Sequence, residues 1–400
     1  MTAPSRGFSV AIAAALFFIT AAAFLRPPLL PDIGRDLHLS ALGLGALGSV
    51  FALGRLATDV PAGRLSDRLS PGRMMIIAGI LVAIGSVILA TAPNALVAFG
   101  SVLVLGVGSA WTLTTAQAYY ATAPRARRGA AMSVFAGSLL TAQAIGPALG
   151  GAIGSASGWR IAVGFGAVLA LGVVLPLFLI PSPTAAGHHR LHGETDAGGP
   201  IPRRVLTVIY LLPALQFSIG AALAQTLVPI IADENLGLDV GLVGLALGIG
   251  GLTRLAGSLT AGRIMDQMGR RAALIPGLVI TAAGVAIFTF VQGPVAWWLT
   301  IVLTSFGSIS VNVGTALLAD LSEGGRLGPR LGAFRFTGDA AFLVAPVLSG
   351  WLLEESGRTA ATLPLLVLSA VVLLGSILWI PETHAVSRGR HINRHSAISD

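Results

Sequence analysis

The chain of 400 residues has no cysteine, so disulfides and thiol chemistry are excluded. It has no lysine either, and all 25 basic residues are arginine. A phosphate-binding Gly-x-x-x-x-Gly-Lys-Ser/Thr loop is therefore ruled out, and with it an ATP-driven pump built into this chain. Charged residues are scarce at 10%, where a soluble domain carries about 25%. His188, His189 and His192 stand close together, but in a polar stretch without cysteine. A solvated loop is expected there rather than a metal site. What remains is apolar. The chain is 54% hydrophobic with 51 glycines, and its mean hydropathy is +0.84. That composition suits membrane helices in close contact. The formal net charge of +8 comes from arginines in short loops between apolar runs, which points to membrane topology rather than nucleic acid.

A spanning helix needs about 20 apolar residues. Twelve stretches meet that rule: roughly 8–31, 41–63, 73–92, 95–121, 129–154, 159–181, 205–232, 238–262, 271–291, 294–319, 331–353 and 359–381. The first is too long for a cleavable signal peptide. Residues 182–204 form the one long polar break, and 382–400 a polar tail. The expected organisation is an N-terminal six-helix half (1–181), a linker (182–204), a C-terminal six-helix half (205–381) and the tail. Eighteen arginines fall on one face of this layout, and Arg26, Arg35, Arg160 and Arg358 on the other. The positive-inside rule then puts both termini and the linker in the cytoplasm of a multi-pass protein of the plasma (inner) membrane.

The halves echo each other. Arg55-Leu-Ala-x-x-x-x-Ala-Gly-Arg-x-x-Asp recurs 199 residues later from Arg254, and Gly146-Pro147 is echoed by Ala345-Pro346 at the same offset. Two matches at one offset point to an internal repeat of about 200 residues.

These motifs resemble those of the major facilitator superfamily over nearly the whole chain. Its Gly-x-x-x-Asp-Arg/Lys-x-Gly-x-Arg/Lys loop is matched by Gly63, Asp67, Arg68 and Arg73, with Ser70 at the second glycine. A cleaner copy follows the eighth stretch: Gly262, Asp266, Gly269, Arg270 and Arg271. The resemblance implies an all-α membrane protein with twelve transmembrane helices in two pseudo-symmetric six-helix bundles. It also implies alternating access, with these loops holding the halves together on the cytoplasmic side. The fifth stretch carries Ala142, Gly146, Pro147, Gly150 and Gly151. This is similar to an element associated with proton-coupled antiporters. Small residues at i, i+4 and i+8 make one smooth face, suited to rocking against the other half.

Charges inside the apolar stretches are costly unless paired. Arg55 and Asp59, like Arg335 and Asp339, stand at i, i+4, the spacing of a same-face pair. In the superfamily the second and eleventh helices face each other, which implies a four-residue network, either latch or protonation switch, with Asp339 the first proton-site candidate. Arg254 has no carboxylate nearby in sequence; its expected partners are backbone carbonyls, Gln143 or an anionic substrate. The fold implies a path lined by the first, fourth, seventh and tenth helices. Its candidate lining is Arg26, Trp111, Thr115, Gln117, Tyr119, Gln216, Ser218, Gln225, Ser308 and Asn312. Drug exporters of the superfamily often place an arginine where this chain has Val102.

The expected activity is secondary transport driven by a proton gradient, with no enzyme chemistry, cofactor or metal. The leading expectation is export of hydrophobic or amphipathic small molecules. The alternatives are uptake of an organic anion held by Arg26, Arg254 or Arg335, and a sensor or assembly protein that moves nothing. Expected partners are a small-molecule substrate and the lipid bilayer, not nucleic acid, with the protein a monomer.

Overall fold

The computed structural model describes residues 6–66, 69–124, 127–174, 177, 201–321 and 327–382. The side chains of residues 6, 59–66, 128, 327 and 328 lie outside that description. So do the 182–200 part of the linker with its histidines, Asp67, Arg68, and residues 383–400 of the tail.

Helices account for nearly all the described residues. In lipid this follows from backbone physics, because a spanning helix satisfies its own amides and carbonyls. In chain order the spans are α1 (Gly7–Leu37), α2 (Ala41–Ser66), α3 (Pro71–Ala90), α4 (Ala95–Ala121), α5 (Arg128–Ser157) and the shorter α6 (Trp159–Gly172). Then come α7 (Arg203–Glu234), α8 (Val240–Gln267), α9 (Arg270–Phe290) and α10 (Pro294–Leu321). The last helix, Leu327–Trp379, breaks at Gly357, where φ is 80°. Only glycine takes that turn without strain, and it divides the helix into α11 and α12. Among the described residues a helix therefore stands at each of the twelve expected spans, the sixth only as the shorter Trp159–Gly172.

Several are irregular. The first runs beyond the expected residue 31 to Leu37, and its helix stops at Ala23 before a 3₁₀ turn at Pro27–Leu29. Pro27 and Pro28 bring no amide hydrogens and interrupt the helical ladder. α7 contains a π-helical segment, Ile219–Leu227, and α10 is interrupted between Phe306 and Ser310.

Burial follows helical periodicity. Phe8, Ile12, Leu16 and Ile19 of α1 are fully buried, whereas Val10 is 67% exposed. Leu96, Val295 and Leu378 are likewise exposed, as a lipid-facing surface requires. One buried cluster draws almost entirely on residues 8–177 and a second on residues 205–380. They define an N-terminal bundle, α1–α6, and a C-terminal bundle, α7–α12.

Each bundle is tied at the end away from the chain termini, here called the distal end. Asp36 accepts from Trp159 Nε1 at 3.1 Å and Arg160 Nε at 3.0 Å. Arg160 also donates to the Ala90 and Ala92 carbonyls, so α1, α3 and α6 meet there. Arg358 plays the corresponding part in the second bundle, donating to the Val291 carbonyl at 2.8 Å.

Candidate functional site

The bundles meet along α2 against α11 and α5 against α8. Contact at the distal end is backbone to backbone. A Cβ on Gly45 would collide with the Pro346 carbonyl, and one on Gly350 with that of Ala41. A Cβ on Gly151 would lie 2.6 Å from the Val240 oxygen, and one on Gly244 2.5 Å from that of Pro147. Nearer the termini the same helices diverge. Gly129 and Gly137 of α5, Gly262 of α8 and Gly332 of α11 would meet nothing within 4 Å. Backbone contact between the bundles is therefore concentrated at the distal end, with open space beside these four glycines nearer the termini.

Polar contacts reinforce the shut end. Arg35 ion-pairs with Asp233 of the other bundle and with Asp32. Val347 N donates to Ser49 Oγ at 3.2 Å. The first turn of α2 has amides without helical partners; Leu42 N is capped by Glu354 of α11 at 3.1 Å. The Glu354 carboxylate thus neutralises the positive end of a helix in the opposite bundle. Glu354→Ala should speed distal opening. Because the chain has no cysteine, a single Ser49→Cys probe can report it. Labelling by a membrane-impermeant maleimide should rise severalfold, and an unchanged rate would show that the cap does not hold the gate.

Below the distal contacts lies an aromatic seal. Phe51 of α2 packs on Phe342 of α11 with centroids 6.4 Å apart, and Phe217 of α7 meets Phe342 edge-on at 6.1 Å. Arginines flank it. Arg26, 4% exposed, stands 5.1 Å from the Phe51 centroid, and Arg55 stands 5.9 Å from that of Phe342. Cation–π attraction offsets part of their desolvation.

On the open side of the seal the bundles carry polar groups. Arg335 of α11 donates to Gln117 Oε1 of α4. Arg254 of α8 donates to Gln143 Oε1 of α5 at 3.3 Å, one of the partners expected for it. Half-buried Asp339 lies in the fields of Arg55 and Arg335. Among the described residues it has neither a hydrogen bond nor an ion pair.

Of the expected four-residue network, Asp339 keeps its electrostatic coupling to Arg55 and Arg335 but forms no ion pair with either. Arg335 reaches across to Gln117 rather than back to Asp339, and Arg55 rests on Phe342. The Asp59 side chain lies outside the described residues. The helix 5 face is corrected in part. Ala142 is fully buried, and Gly146 and Gly150 abut the Ala21 and Leu25 carbonyls of α1 within their own bundle. Pro147 and Gly151 of the same motif, with Ala144 and Ala148, do meet α8 of the other bundle. A helix with small residues on most sides can pack on two neighbours at once, and spacing alone does not say which face meets which.

The second loop motif also binds inside its bundle. Arg270 pairs with Asp320 at 2.8 Å, and its amide donates to Glu382. Arg271 donates to the Ile377 and Ile380 carbonyls at the end of α12. Gly269, with φ 104°, makes the turn into α9. Asp266 and Arg73 are exposed. Gly63 of the first motif lies outside the described side chains, as does Asp67 with Arg68.

The expected lining residues divide. Tyr119, 9% exposed, shares a 2.7 Å hydrogen bond with Ser9 and meets the Phe8 ring edge-on. It is thus a packing residue of the N-terminal bundle and not a wall of the path. Gln216 accepts from Ser310 Oγ at 3.3 Å, tying α7 to α10. Asn312, exposed, donates to Ser258 Oγ of α8 at 2.8 Å. Gln225 lies half-buried in the π-helical segment, and Ser218 is buried just before it. Trp111 Nε1, Thr115 Oγ1, Ser308 Oγ, Arg26 Nη1 and Arg254 Nε are buried without a hydrogen-bond partner among the described residues.

Sequence reasoning missed Phe51, Phe217 and Phe342. One signal was available: Phe51 stands four residues before Arg55, and Phe342 three after Asp339. Those spacings put each ring on the same helix face as the charge.

The chain is similar to known transport proteins along most of its length. The probable sulfoacetate transporter SauU of Cupriavidus necator is 25% identical over 378 residues, covering 87% of this chain and 86% of SauU. Multidrug resistance protein 2 of Bacillus subtilis is 24% identical over 287 residues, 70% of each chain. The inward-facing, occupied structure of a bacterial homologue of the human lysosomal transporter Spinster superposes with a TM-score of 0.79 at 14% identity, covering 94% of this chain and 97% of that one. The family model of the Major Facilitator Superfamily matches residues 12–217 and 210–395. With both bundles matched, the chain belongs to the Major Facilitator Superfamily.

Proposed function

We propose that this transporter carries a small organic anion bearing a carboxylate or sulfonate, by alternating access between the bundles. The observation that carries the reading is Arg254. Its Nε is buried without a partner, its Nη1 meets only the neutral amide of Gln143, and no carboxylate among the described residues compensates it. A desolvated charge without a counter-ion costs several kcal/mol. A bound anion removes that cost, and a guanidinium presents paired donors to two oxygens of one acid group. Arg55 and Arg335 add positive charge to the same open side. SauU, matched along most of its length, is named for a substrate with both acid groups.

A second reading is proton-coupled export of lipophilic compounds. It is favoured by the phenyl cluster of Phe51, Phe217 and Phe342 and by the multidrug-resistance relative. In both readings the arginine-rich terminal end is cytoplasmic, and the conformation described is inward-open. The test uses proteoliposomes with a trapped pH dye and a panel of sulfoacetate, succinate, benzoate, ethidium and a neutral antibiotic. Anion flux is expected, with half-saturation raised about tenfold in Arg254→Gln, the loss of one charge-assisted bond of about 1.4 kcal/mol. Ethidium flux that is indifferent to Arg254→Gln, with no anion flux, would overturn the reading in favour of export. The direction of dye response relative to substrate separates symport from antiport.

A further inference from the structure

A second cation lies on the other side of the aromatic seal. Arg26 caps the Pro27–Leu29 turn and is 4% exposed. Its Nη1 is buried without a partner, and its side chain has no hydrogen bond among the described residues. The carboxylates that follow it in the chain are engaged. Asp32 pairs with Arg35, and Asp36 with Trp159 and Arg160. What faces the guanidinium is the Phe51 ring. A ring offers about 2 kcal/mol to a desolvated cation, well short of what an acid group offers.

The location explains why such a charge is retained. The Pro27–Leu29 turn packs on α7 and α8 of the opposite bundle. These contacts belong to the shut distal end. When the bundles part there, the turn loses its cover and Phe51 withdraws from Phe342. Arg26 then becomes a cation facing the distal opening, while Arg254 and Arg55 lie nearer the terminal end.

We infer that Arg26 is a distinct anion-binding site, used when the distal end is open, for the same carboxylate- or sulfonate-bearing substrates. The transported anion exchanges Arg26 for Arg254 as the seal changes sides. This rests on the anion reading above, and the two can fail separately.

The test uses the full-length chain in proteoliposomes of determined sidedness, with sulfoacetate counterflow titrated on each face. Arg26→Gln should raise half-saturation at the distal face about fivefold or more, as loss of one charge-assisted contact requires. The terminal face should stay within about twofold. Arg26→Lys, which keeps the charge, should restore most of the distal affinity. Arg254→Gln should show the reverse asymmetry. A change in Arg254→Gln alone, or an equal change on both faces in Arg26→Gln, would overturn the Arg26 site and leave the anion reading standing. Indifference of sulfoacetate flux to both variants would overturn the anion reading itself. If Arg26→Gln does not fold, Phe51→Ala provides the check with Arg26 intact. Removing the ring that faces Arg26 should shift half-saturation at the distal face severalfold while the terminal face stays within about twofold, and an equal change on both faces would overturn the site.

Discussion

Gly45→Val is expected to abolish transport while the chain still folds and inserts. In the distal-closed state a Cβ at Gly45 collides with the Pro346 carbonyl of the opposite bundle, a backbone atom that no rotamer change can move aside. Overpacking of this kind costs about 1–3 kcal/mol or more. With the distal end open, Gly45 no longer faces Pro346, so the cost falls on one state alone. About 3 kcal/mol shifts that equilibrium on the order of a hundredfold. The Ser49→Cys probe should then label readily from the distal face, and flux should fall by a comparable factor. Gly150→Val is the control. Its Cβ collides with the Leu25 carbonyl inside the N-terminal bundle, a contact that does not depend on which end is open. It should lower folded yield without favouring distal labelling. Normal flux in Gly45→Val would mean that the glycine contacts at the interface do not govern closure.

Asp339→Asn is expected to uncouple transport from the proton gradient. Asp339 faces the open side, in the fields of Arg55 and Arg335, and holds no fixed partner among the described residues. A carboxylate that is half-buried and free of structural bonds can exchange a proton without breaking the fold. The amide keeps its size and removes its charge. Anion counterflow, which needs no driving force, should persist in Asp339→Asn. Accumulation driven by an imposed pH gradient should drop to the counterflow background, a loss of about tenfold or more. Accumulation that survives the substitution would remove Asp339 from the coupling path.

The legible parts of the site share one property: they are local. Arg254 announces itself because an arginine in an apolar run without a nearby carboxylate needs an unusual partner, and Gln143 is that partner. The loop after α8 is legible as a motif, yet its arginines tie α9 to α10 and α12 rather than one bundle to the other. Arg335 and Asp339 read as a pair at i, i+4. Across the interface Gln117 offers Arg335 a better-placed acceptor, and nothing in the local spacing encodes that. Tyr119 reads as a cavity residue because it is polar and near the end of the fourth span. Ser9 satisfies its hydroxyl from α1, and the ring becomes core.

The sequence by itself determined the membrane class, the twelve spans, the repeat of the Arg55 motif and the superfamily. Each rests on composition, run length or spacing along one strand of chain, and a bilayer imposes those requirements on every span separately. Tertiary structure alone decided that Gly146 and Gly150 serve α1 while Gly151 serves α8, that Phe51 and Phe342 pack together between the bundles, and that the close backbone contacts lie at the distal end. These depend on which helix faces meet, and the meeting residues lie in different bundles, far apart in sequence. The physical reason is that small residues permit close approach from several directions, and only the packing of all the helices together selects one.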